Sequence, residues 1–567
     1  MLSRRDFLHV TAATAMLGAA PDLARAAKAQ AIDEKTLLHF DAIGQITLLH
    51  LTDLHAQLVP LYFREPSVNI GVGPAAGKPP HVTGKDALAR FGLRAGSPEA
   101  YAFTSDDYVA LAREYGRIGG LDRIARLVKA IRAERAATLL LDGGDTWQGS
   151  YVSLQERGGD MVRVMNALGV DAMTAHWEFT YGADRVKELQ AKLAFPFLAG
   201  NIKDATWGDP VFDSTKVFER GGLRIAVIGQ AFPYTPIANP SWMIPDWTFG
   251  IDDEGLQKHV TAARRDGADL VVLLSHNGYD VDVKQASRVK GIDVILGGHT
   301  HDAIPAPTKV GDTLIIASGS HGKFLSRLDL EVKGKRIVRY GYRLIPILSD
   351  AIEPDAETAK LVAEVRAPHA AKMDRVLGRT DSLLFRRGNF NGTFDDLICQ
   401  ALLSERDAEI ALSPGFRFGA TLLPGQDIRV EDLYSQTAIT YPAAYRTEMT
   451  GARLKEVLED VADNLFNPDP YYQQGGDMVR VAGMRYAIDV RQRAGRRISD
   501  MRLSRTGKPI DPAKSYIVAG WASVNRDTEG PPIHDVVGRH IENQRVIRIA
   551  PSHNVRVLGA DKRGMAG

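Results

Sequence analysis

Seven aspartate and histidine side chains follow five short apolar runs of strand length. They are Asp53, His55, Asp145, His176, His276, His299 and His301. Because ligands collect where the strands of an α/β sheet end, these side chains can converge on one crevice. Seven donors are too many for one metal ion and suit two ions, if one carboxylate bridges them. Oxygen and imidazole donors without thiolate favour manganese, zinc or iron over a soft metal.

Each of these residues has a plainer interpretation when it is taken alone. An aspartate after a strand is more often a turn or helix cap than a ligand, and a lone histidine is more often structural. The elements D-x-H, G-G-D and G-G-H-x-H, each after an apolar run, are much harder to explain in that way. We interpret His50, inside the run ITLLHL, as a core or edge residue and His321 as a side chain that lines the crevice.

The elements that must position these donors alternate between strands and helices from Gln45 to about Pro346. ITLLHL, ATLLLD, LRIAVIG, DLVVLLS and IDVILGG are β-rich runs, whereas GDMVRVMNALG and LQKHVTAARRDGA have helical spacing. The alternation predicts an α/β domain with a largely buried sheet. A stretch rich in glycine and proline interrupts it, and we interpret residues 60–116 as a long surface insertion.

The chain length and a change in residue pattern predict two domains, because 567 residues are too many for a single hydrophobic core. We assign residues 27–346 to a catalytic domain and residues 347–375 to a linker with a polar helix of roughly Asp355 to Val365. Residues 376–567 form the second domain, whose clearest helix is LKEVLEDVADNLF. The single cysteine, Cys399, excludes an intrachain disulfide and is predicted to be a buried apolar residue.

The first residues predict export. Arg4 and Arg5 precede a short apolar run, and ARA at residues 24–26 offers a cleavage site. We interpret residues 1–26 as a twin-arginine (Tat) signal, although His9 stands where such signals often carry lysine, and we expect a periplasmic location. With 70 basic and 69 acidic side chains there is no net field for nucleic acid or an anionic membrane, so we expect neither as a partner.

The strand-end motifs and the two-domain organisation resemble the calcineurin-like metallophosphoesterase superfamily and, within it, the 5′-nucleotidase group. The resemblance implies an N-terminal metallophosphoesterase-type α/β sandwich and a C-terminal 5′-nucleotidase-type α/β domain. It also implies two metal ions that share Asp145. One ion would be held by Asp53, His55, Asp145 and His301, and the other by Asp145, His176, His276 and His299.

The fourth motif of that group departs from its usual form. It normally reads G-N-H-E-F-D-Y-G, whereas residues 175–182 read AHWEFTYG. His176 replaces the metal-binding asparagine and is an acceptable ligand, but Trp177 replaces the catalytic histidine and cannot relay protons. Thr180 replaces the aspartate that orients that histidine. The metal donors therefore remain while the acid–base dyad is absent, which suits a leaving group that is already a stable sulfur anion.

This departure, the insertion and the run NLFNPDPYYQQGGDMVRVAGM resemble the SoxB family of the bacterial sulfur-oxidising (Sox) system. The resemblance implies two manganese ions, with other divalent metals possible. It also implies hydrolysis of the cysteine-bound S-sulfonate (a thiosulfonate, at the end of a sulfane chain) on the carrier protein SoxYZ, which releases sulfate during thiosulfate oxidation. We expect a hydroxide activated by the two metals to attack the sulfonate sulfur, with Asp145 holding their spacing, while the persulfide leaves without a general acid.

The second domain supplies the candidate substrate contacts. The run ALSPGFRFGATLLPGQDI resembles the nucleotidase segment whose arginine reaches the substrate anion, so Arg417 is the candidate contact for the sulfonate. Asn391, Tyr471, Asp477 and Arg480 are weaker candidates, because each can equally be a turn, cap or packing residue. AGWASVNRDTEGPP stands where nucleotidases carry a G-G-D-G-Y-type stretch, which argues against nucleobase binding.

Two other interpretations stay open. A periplasmic 5′-nucleotidase or phosphodiesterase that works without the dyad would act on AMP or a cyclic nucleotide. A non-enzymatic relative would only dock onto a carrier, but loss of ligands is the expected trace of such decay, and here every ligand position carries a donor.

Overall fold

The computed structural model describes residues 34–559, so the predicted signal at residues 1–26 lies outside the described residues. No helix within that range is long and apolar enough to cross a membrane. The strands of the first half are β1 (Ile46–Leu51), β2 (Thr138–Asp142), β3 (Ala172–Met173), β4 (Lys203–Asp204), β5 (Thr215–Arg220), β6 (Leu223–Gln230), β7 (Trp247–Thr248), β8 (Leu270–Ser275), β9 (Val294–Gly297), β10 (Thr308–Val310), β11 (Thr313–Ala317), β12 (Phe324–Lys333) and β13 (Arg336–Pro346).

The strands of the second half are β14 (Val376–Thr380), β15 (Ile410–Gly415), β16 (Asp427–Arg429), β17 (Ala444–Thr450), β18 (Asp477–Ala482), β19 (Met484–Asp489), β20 (Ile498–Leu503), β21 (Ser515–Trp521), β22 (Val546–Ile547) and β23 (Val555–Leu558). The α-helices are Glu34–Leu38, Gly84–Phe91, Pro98–Phe103, Tyr108–Tyr115, Leu121–Glu134, Tyr151–Glu156, Gly159–Leu168, Ala183–Gln190, Thr235–Ala238, Asp253–Arg265, Tyr279–Arg288, Ala356–Arg366, Ala370–Met373, Thr393–Glu405, Val430–Thr437, Gly451–Phe466 and Ile533–Gln544.

Two mixed sheets pack face to face in the first half of the chain. Their strand orders are β13-β12-β1-β2-β3 and β10-β11-β9-β8-β6-β5. β1, β2 and β3 pair in parallel, and so do β6, β8, β9 and β11. The facing surfaces form one buried apolar cluster, which includes Leu48, Leu141, Val227, Val272 and Leu296. Burial on both faces explains why these strands read as continuous apolar runs.

Amphipathic helices cover the outer faces of the two sheets. In the helix Leu121–Glu134 the buried residues Ile124, Leu127, Val128 and Ile131 follow helical spacing, and they join the cluster on the outer side of β1 and β2. The helices Asp253–Arg265 and Tyr279–Arg288 cover the second sheet in the same way. The result is a layered helix–sheet–sheet–helix domain whose parallel strands all end at one edge.

The strand predictions are confirmed for the five β-rich runs, which form β1, β2, β6, β8 and β9. The two predicted helices of this half are confirmed as Gly159–Leu168 and Asp253–Arg265. The first of them ends at Gly169, whose φ of 72° is the left-handed conformation that closes a helix.

The segment 60–116, predicted as a surface insertion, contains more helix than its composition indicates. Its irregular first part holds a short 3₁₀ turn at Gly73–Ala75. The later part forms the helices Gly84–Phe91, Pro98–Phe103 and Tyr108–Tyr115. The Ile70 N–H donates to Asn389 Oδ1 over 2.6 Å, so the segment also contacts the second domain.

The second domain follows the helix Ala356–Arg366, which agrees with the polar helix predicted at about Asp355 to Val365. The Asp355 side chain accepts from the Thr358 N–H and so caps that helix. The sheets of the domain have the orders β17-β21-β15-β18, β16-β14-β22 and β20-β19-β23. Cys399 is buried in the helix Thr393–Glu405, as predicted.

Candidate metal centre

The seven candidate donors come together at the edge where the parallel strands end. Each of the five loops after β1, β2, β3, β8 and β9 carries one or two of them. In order along the chain these are Asp53 and His55, Asp145, His176, His276, and His299 and His301. The topology of the two sheets therefore decides which distant residues become neighbours.

Five of the donors have a positive φ, which residues other than glycine seldom adopt. The values are 51° at Asp53, 46° at His55, 57° at Asp145, 76° at His299 and 58° at His301. Backbone hydrogen bonds between loops hold this shape, since the Asp53 N–H donates to Gly144 O (2.8 Å) and the His55 N–H donates to Asp145 O (2.9 Å). Such conformations persist only where the surrounding structure enforces them, and they concentrate at functional sites.

Within the described residues the donors form two groups that share Asp145. The groups are Asp53, His55, Asp145 and His301, and Asp145, His176, His276 and His299. In each group the ligand atoms all lie within 4.8 Å of one another. Asp145 Oδ2 is 3.1 Å from His176 Nδ1 and 3.2 Å from His276 Nε2, and His301 Nε2 is 3.2 Å from Asp53 Oδ1. The two clusters can therefore hold a pair of metal ions with one carboxylate between them.

Backbone carbonyls hold three of the histidines in the tautomer that a metal ligand needs. Nδ1 of His276 lies 2.6 Å from Gly143 O, and Nδ1 of His55 lies 3.2 Å from Gln148 O, so each Nε2 is left as the lone-pair nitrogen. In His299 the roles are reversed, because Nε2 lies 2.9 Å from Gln474 O. Its Nδ1 is buried and has no hydrogen-bond partner among the described residues. Carbonyl partners of this kind orient metal-bound imidazoles, so the donor set fits the group it would hold.

Burial controls the charge of these donors, all of which are buried. It lowers the pKa of His176 to about 4 and raises the pKa of Asp53 to about 7. Burial alone would also lower the pKa of His276, but the charges of Asp145 and Asp53 raise it to about 9. Neutral imidazole is the ligand form of histidine, and buried carboxylates of this kind are stabilised by a cation beside them.

Two buried acids that the sequence analysis did not single out hold the ligand loops. Glu178 accepts hydrogen bonds from four backbone N–H groups, those of Asp145 (3.3 Å), Thr146 (2.6 Å), Trp147 (3.2 Å) and His176 (2.7 Å). Asp142 accepts from the Gly144 N–H (3.0 Å) and from Thr146 Oγ1 (2.7 Å). The sequence could have indicated the role of Glu178. An acidic residue between a tryptophan and a phenylalanine is expected to be buried, and a buried carboxylate needs hydrogen-bond donors.

His50 and His321 have the structural surroundings that the sequence indicated. His50 is fully buried inside β1, and its Nδ1 lies 2.6 Å from Ser318 Oγ. His321 lies beside the first donor group, with its ring 5.3 Å from the ring of His55. Its Nε2 accepts from the Gly419 N–H over 3.1 Å, so His321 joins the ligand loops to the second domain.

Two arginines of the second domain contact the loop that carries His299 and His301. Arg417 Nη1 donates to Thr300 O and Arg387 Nη1 donates to His301 O, both over 3.1 Å. Burial and the nearby charge of Arg417 lower the pKa of the Arg387 guanidinium. Arg417 was predicted from the sequence, whereas Arg387 was not. The hydrogen bond from Arg387 to His301 O joins residues 86 positions apart.

Known proteins that are similar in sequence and structure identify the family to which this chain belongs. The family described as 5′-nucleotidase, C-terminal domain matches residues 376–530. The solved structure of the sulfate thiohydrolase SoxB from Thermus thermophilus is 38% identical with a TM-score of 0.90. The match covers 93% of this chain and 99% of that chain. This chain belongs to the SoxB family.

The SoxB family membership agrees with wider similarity to 5′-nucleotidases. A snake venom 5′-nucleotidase from Naja atra is 24% identical over 456 residues, which span 70% of this chain and 83% of that protein. The structure of a 5′-nucleotidase precursor, also from Thermus thermophilus, is 22% identical with a TM-score of 0.72. The match covers 91% of this chain and 100% of that chain, so the two proteins share the fold. The predicted fold class is confirmed, and the chain is a hydrolase with a metal-binding site.

In this SoxB-family chain the Trp177 side chain packs against residues of the second domain. Its indole is 6% exposed and lies edge-on to Phe416 at 5.5 Å and parallel to Tyr441 at 6.4 Å between ring centroids. It belongs to the same buried apolar cluster as the core of the second domain. Thr180 shares a side-chain hydrogen bond with Thr440. Both positions of the missing dyad therefore make interdomain contacts.

The four weaker candidates make mainly structural contacts in this SoxB-family chain. Asn391 donates to Ser552 O (2.9 Å), and Arg480 is buried between Asp395 and Asp477. Tyr471 OH donates to Asp253 Oδ1 over 2.7 Å. Asp477 is linked to the metal-ligand loops through Arg417, since its Oδ1 is 3.5 Å from Arg417 Nε and Arg417 donates to Thr300 O. Their roles toward a substrate stay predictions.

Proposed function

We propose that this SoxB-family hydrolase acts in the periplasm and releases sulfate from a cysteine-bound thiosulfonate (Cys–S–S–SO3−) on the sulfur carrier protein SoxYZ. One observation carries the proposal: the complete double donor set stands beside Trp177, which offers no acid. A reaction at this site must therefore expel a leaving group that needs no proton, and a persulfide anion meets that requirement. The Thermus thermophilus relative is a sulfate thiohydrolase, which supports the same chemistry.

The residues that would hold two manganese ions are the two groups that share Asp145. When bound, the ions supply charge neutralisation for the sulfonate oxygens and an activated water as nucleophile. Asp145 holds the two halves of the site together, and its second oxygen, Oδ1, accepts the Trp177 N–H over 2.7 Å. The carbonyls of Gly143, Gln148 and Gln474 keep the imidazoles oriented.

The reaction consumes one water. A sulfur–oxygen bond forms at the sulfonate, the bond between the sulfonate sulfur and the sulfane sulfur breaks, and the electron pair leaves on the persulfide. The water protons pass to solvent, so no residue has to deliver a proton to the leaving group. Arg417 orients the sulfonate, and Arg387 stands beside it. An anion relieves the repulsion between two neighbouring guanidinium groups, which favours a sulfonate here.

The route to the site supports a substrate carried on a peptide arm. A cavity of about 1230 Å³ lies between the insertion and the second domain, with Ile70, Val82 and Phe466 in its wall. A cavity of about 50 Å³ shares Ile70 and Phe466 with it and reaches His299 and Arg417. The smaller cavity is too small for a folded domain, so the proposed carrier would have to reach the site with a narrow extended segment.

The test measures sulfate and phosphate release from separate reactions with thiosulfonate-loaded carrier and with AMP. Both are followed before and after manganese is stripped and restored. We expect metal-dependent sulfate release and no phosphate release. Phosphate release alone would overturn the proposal in favour of the nucleotidase interpretation.

The double variant Trp177→His/Thr180→Asp sharpens the same test, because it restores the dyad of the nucleotidase motif. We expect sulfate release to persist or decline, because the leaving group needs no acid. A large gain in sulfate release would show that proton donation limits the reaction, contrary to the proposal.

A further inference from the structure

The two positions of the missing dyad meet one short segment of the second domain, residues 438–441. Trp177 stacks against Tyr441, and Thr180 bonds with Thr440, whose Oγ1 also donates to Thr180 O over 3.1 Å. Two other residues of the catalytic domain, Gln148 and Ala238, contact the same segment. Gln148 Nε2 donates to Ala438 O, and Tyr441 OH donates to Ala238 O.

Trp177 also connects that segment to the metal donors through its backbone. Its N–H donates to Asp145 Oδ1 over 2.7 Å, while Asp145 Oδ2 faces His176 and His276. The residue thus has its amide on the shared carboxylate and its indole in the core of the second domain. A shift of the second domain would move the indole and, with it, the amide that orients the carboxylate.

The packing around the indole resists such a shift. Phe416 and Phe418 lie edge-on to it at 5.5 and 6.4 Å between ring centroids, and Arg386 lies over both phenylalanine rings. Arg386 is itself fixed by its ion pair with Asp395 at 2.9 Å. Domains move relative to each other by default unless their interface is large and apolar, and this contact is buried and aromatic.

We propose that Trp177 and Thr180, with residues 438–441, form an interdomain clamp, and that Trp177 is a positioning residue. The clamp holds Arg417 and Arg387 against the loop of His299 and His301 and keeps the Asp145 carboxylate oriented. The enzyme therefore turns over with its two domains in one arrangement. Only the turnover part of this inference rests on the proposed sulfate release; the fixed domain arrangement stands apart from it.

The first test measures the interdomain distance. Nitroxide labels are attached at Val217→Cys in the catalytic domain and Arg505→Cys in the second domain, both exposed positions, while the buried Cys399 stays unlabelled. The protein is loaded with diamagnetic Zn²⁺, and electron–electron dipolar spectra are recorded with and without thiosulfonate-loaded carrier. We expect one narrow distance in both states. A second distance on addition of the carrier would overturn the clamp.

Substitutions of Trp177 should alter that distance distribution. We expect Trp177→Ala to broaden it and Trp177→Phe to preserve it. The matched control is Trp247→Ala, because Trp247 is also 6% exposed but packs on Phe179 and Phe212 within the catalytic domain. This control should lose stability and keep the narrow distance. An unchanged distribution in Trp177→Ala would contradict the proposal.

The second test locks the clamp covalently. The Thr180→Cys/Thr440→Cys variant brings two thiols to positions whose hydroxyls are hydrogen-bonded, and diamide closes the disulfide. We expect the oxidised protein to release sulfate at the rate of the reduced protein, with the bridge verified as intact by mass spectrometry after turnover. Loss of turnover on oxidation, with recovery on reduction, would show that the domains must move.

A kinetic readout separates positioning from mere stability. We expect Trp177→Ala, at a temperature where it is fully folded, to lose about 100-fold in kcat/KM because the arginines and the shared carboxylate are misplaced. Trp177→Phe should restore most of it, whereas Trp247→Ala should change kcat/KM little. If the wild type releases no sulfate, the proposed function fails, but the distance measurements still decide on the clamp.

Discussion

The donor side of the site and its second-domain side are built from different kinds of structure. The donors stand on loops after parallel strands of one domain, and backbone hydrogen bonds between those loops fix them. The opposite side consists of Arg387, Arg417 and the aromatic partners of Trp177, which come from a separate domain. The first side retains every donor of a two-metal hydrolase, whereas the second side differs from the nucleotidase motif at the dyad. In the proposed reaction the metals would therefore supply the reactivity, and the second domain would position the substrate.

The largest expected effect comes from the carboxylate that both donor groups share. Asp145→Asn should reduce bound manganese and lower sulfate release by about 1000-fold or more, because an amide cannot bridge two ions as a carboxylate does. Metal content is measured by mass spectrometry of the purified protein. Asp160→Asn is the matched control, since Asp160 is as buried as Asp145 but lies in a helix and in neither donor group. Retention of two ions in Asp145→Asn would contradict the bridging role.

A smaller loss should follow when one group alone is broken. His176→Ala removes a donor from one group only, so we expect one ion to remain with Asp53, His55, Asp145 and His301. Two retained ions with turnover abolished would instead mean that His176 acts as a proton donor. His50→Ala, which removes a buried histidine outside both groups, should keep both ions.

The second-domain side should be separable from metal binding. Arg417→Ala should leave both ions in place and lower kcat/KM by about 10- to 100-fold, the range for a lost charge-assisted hydrogen bond. Arg417→Lys should recover only part of it, because a lysine cannot form the planar fork.

A matched variant tests whether any buried arginine of this domain would have the same effect. Arg480→Met should lower the free energy of unfolding by about 3–5 kcal/mol, because it leaves the buried Asp395 with one partner fewer. It should leave kcat/KM of the folded enzyme nearly unchanged. A larger kinetic defect than that of Arg417→Ala would move the substrate contact to Arg480.

The smallest expected effect concerns pH at the insertion. Burial alone would lower the pKa of His81, but its hydrogen bond to Asp280 (2.9 Å) raises that pKa above the ordinary value. The charge of Asp302 also raises the pKa of His81, whereas the charge of Arg417 lowers it. A raised folded-state pKa stabilises the contact below about pH 6.5, and the stabilisation is lost as pH rises through the raised value. Hydrogen exchange of residues 81–83, corrected for intrinsic rates, should be slower at about pH 6 than at about pH 8.5. Asp280→Asn should abolish that difference, and a difference that persists in this variant would exclude His81 as its cause.

The sequence by itself determined the catalytic half to a large extent. Runs such as ITLLHL and DLVVLLS are mainly apolar because their strands are buried on both faces, and the polar residues after each run mark the strand end. Parallel strands end at one edge, so the convergence of Asp53, Asp145 and His276 could be predicted from the order of the runs alone. The missing dyad was equally visible, because it is a change of residue type within a short motif.

The tertiary structure alone decided what surrounds those donors. Arg387 reaches the carbonyl of His301 across 86 positions, and Thr180 reaches Thr440 across 260. No local spacing encodes such contacts, because they depend on how one domain packs against the other. The sequence likewise showed that Trp177 cannot donate a proton, but only the fold showed that its indole is buried in the second domain. Residue type fixes what a side chain can do, and packing fixes what it meets.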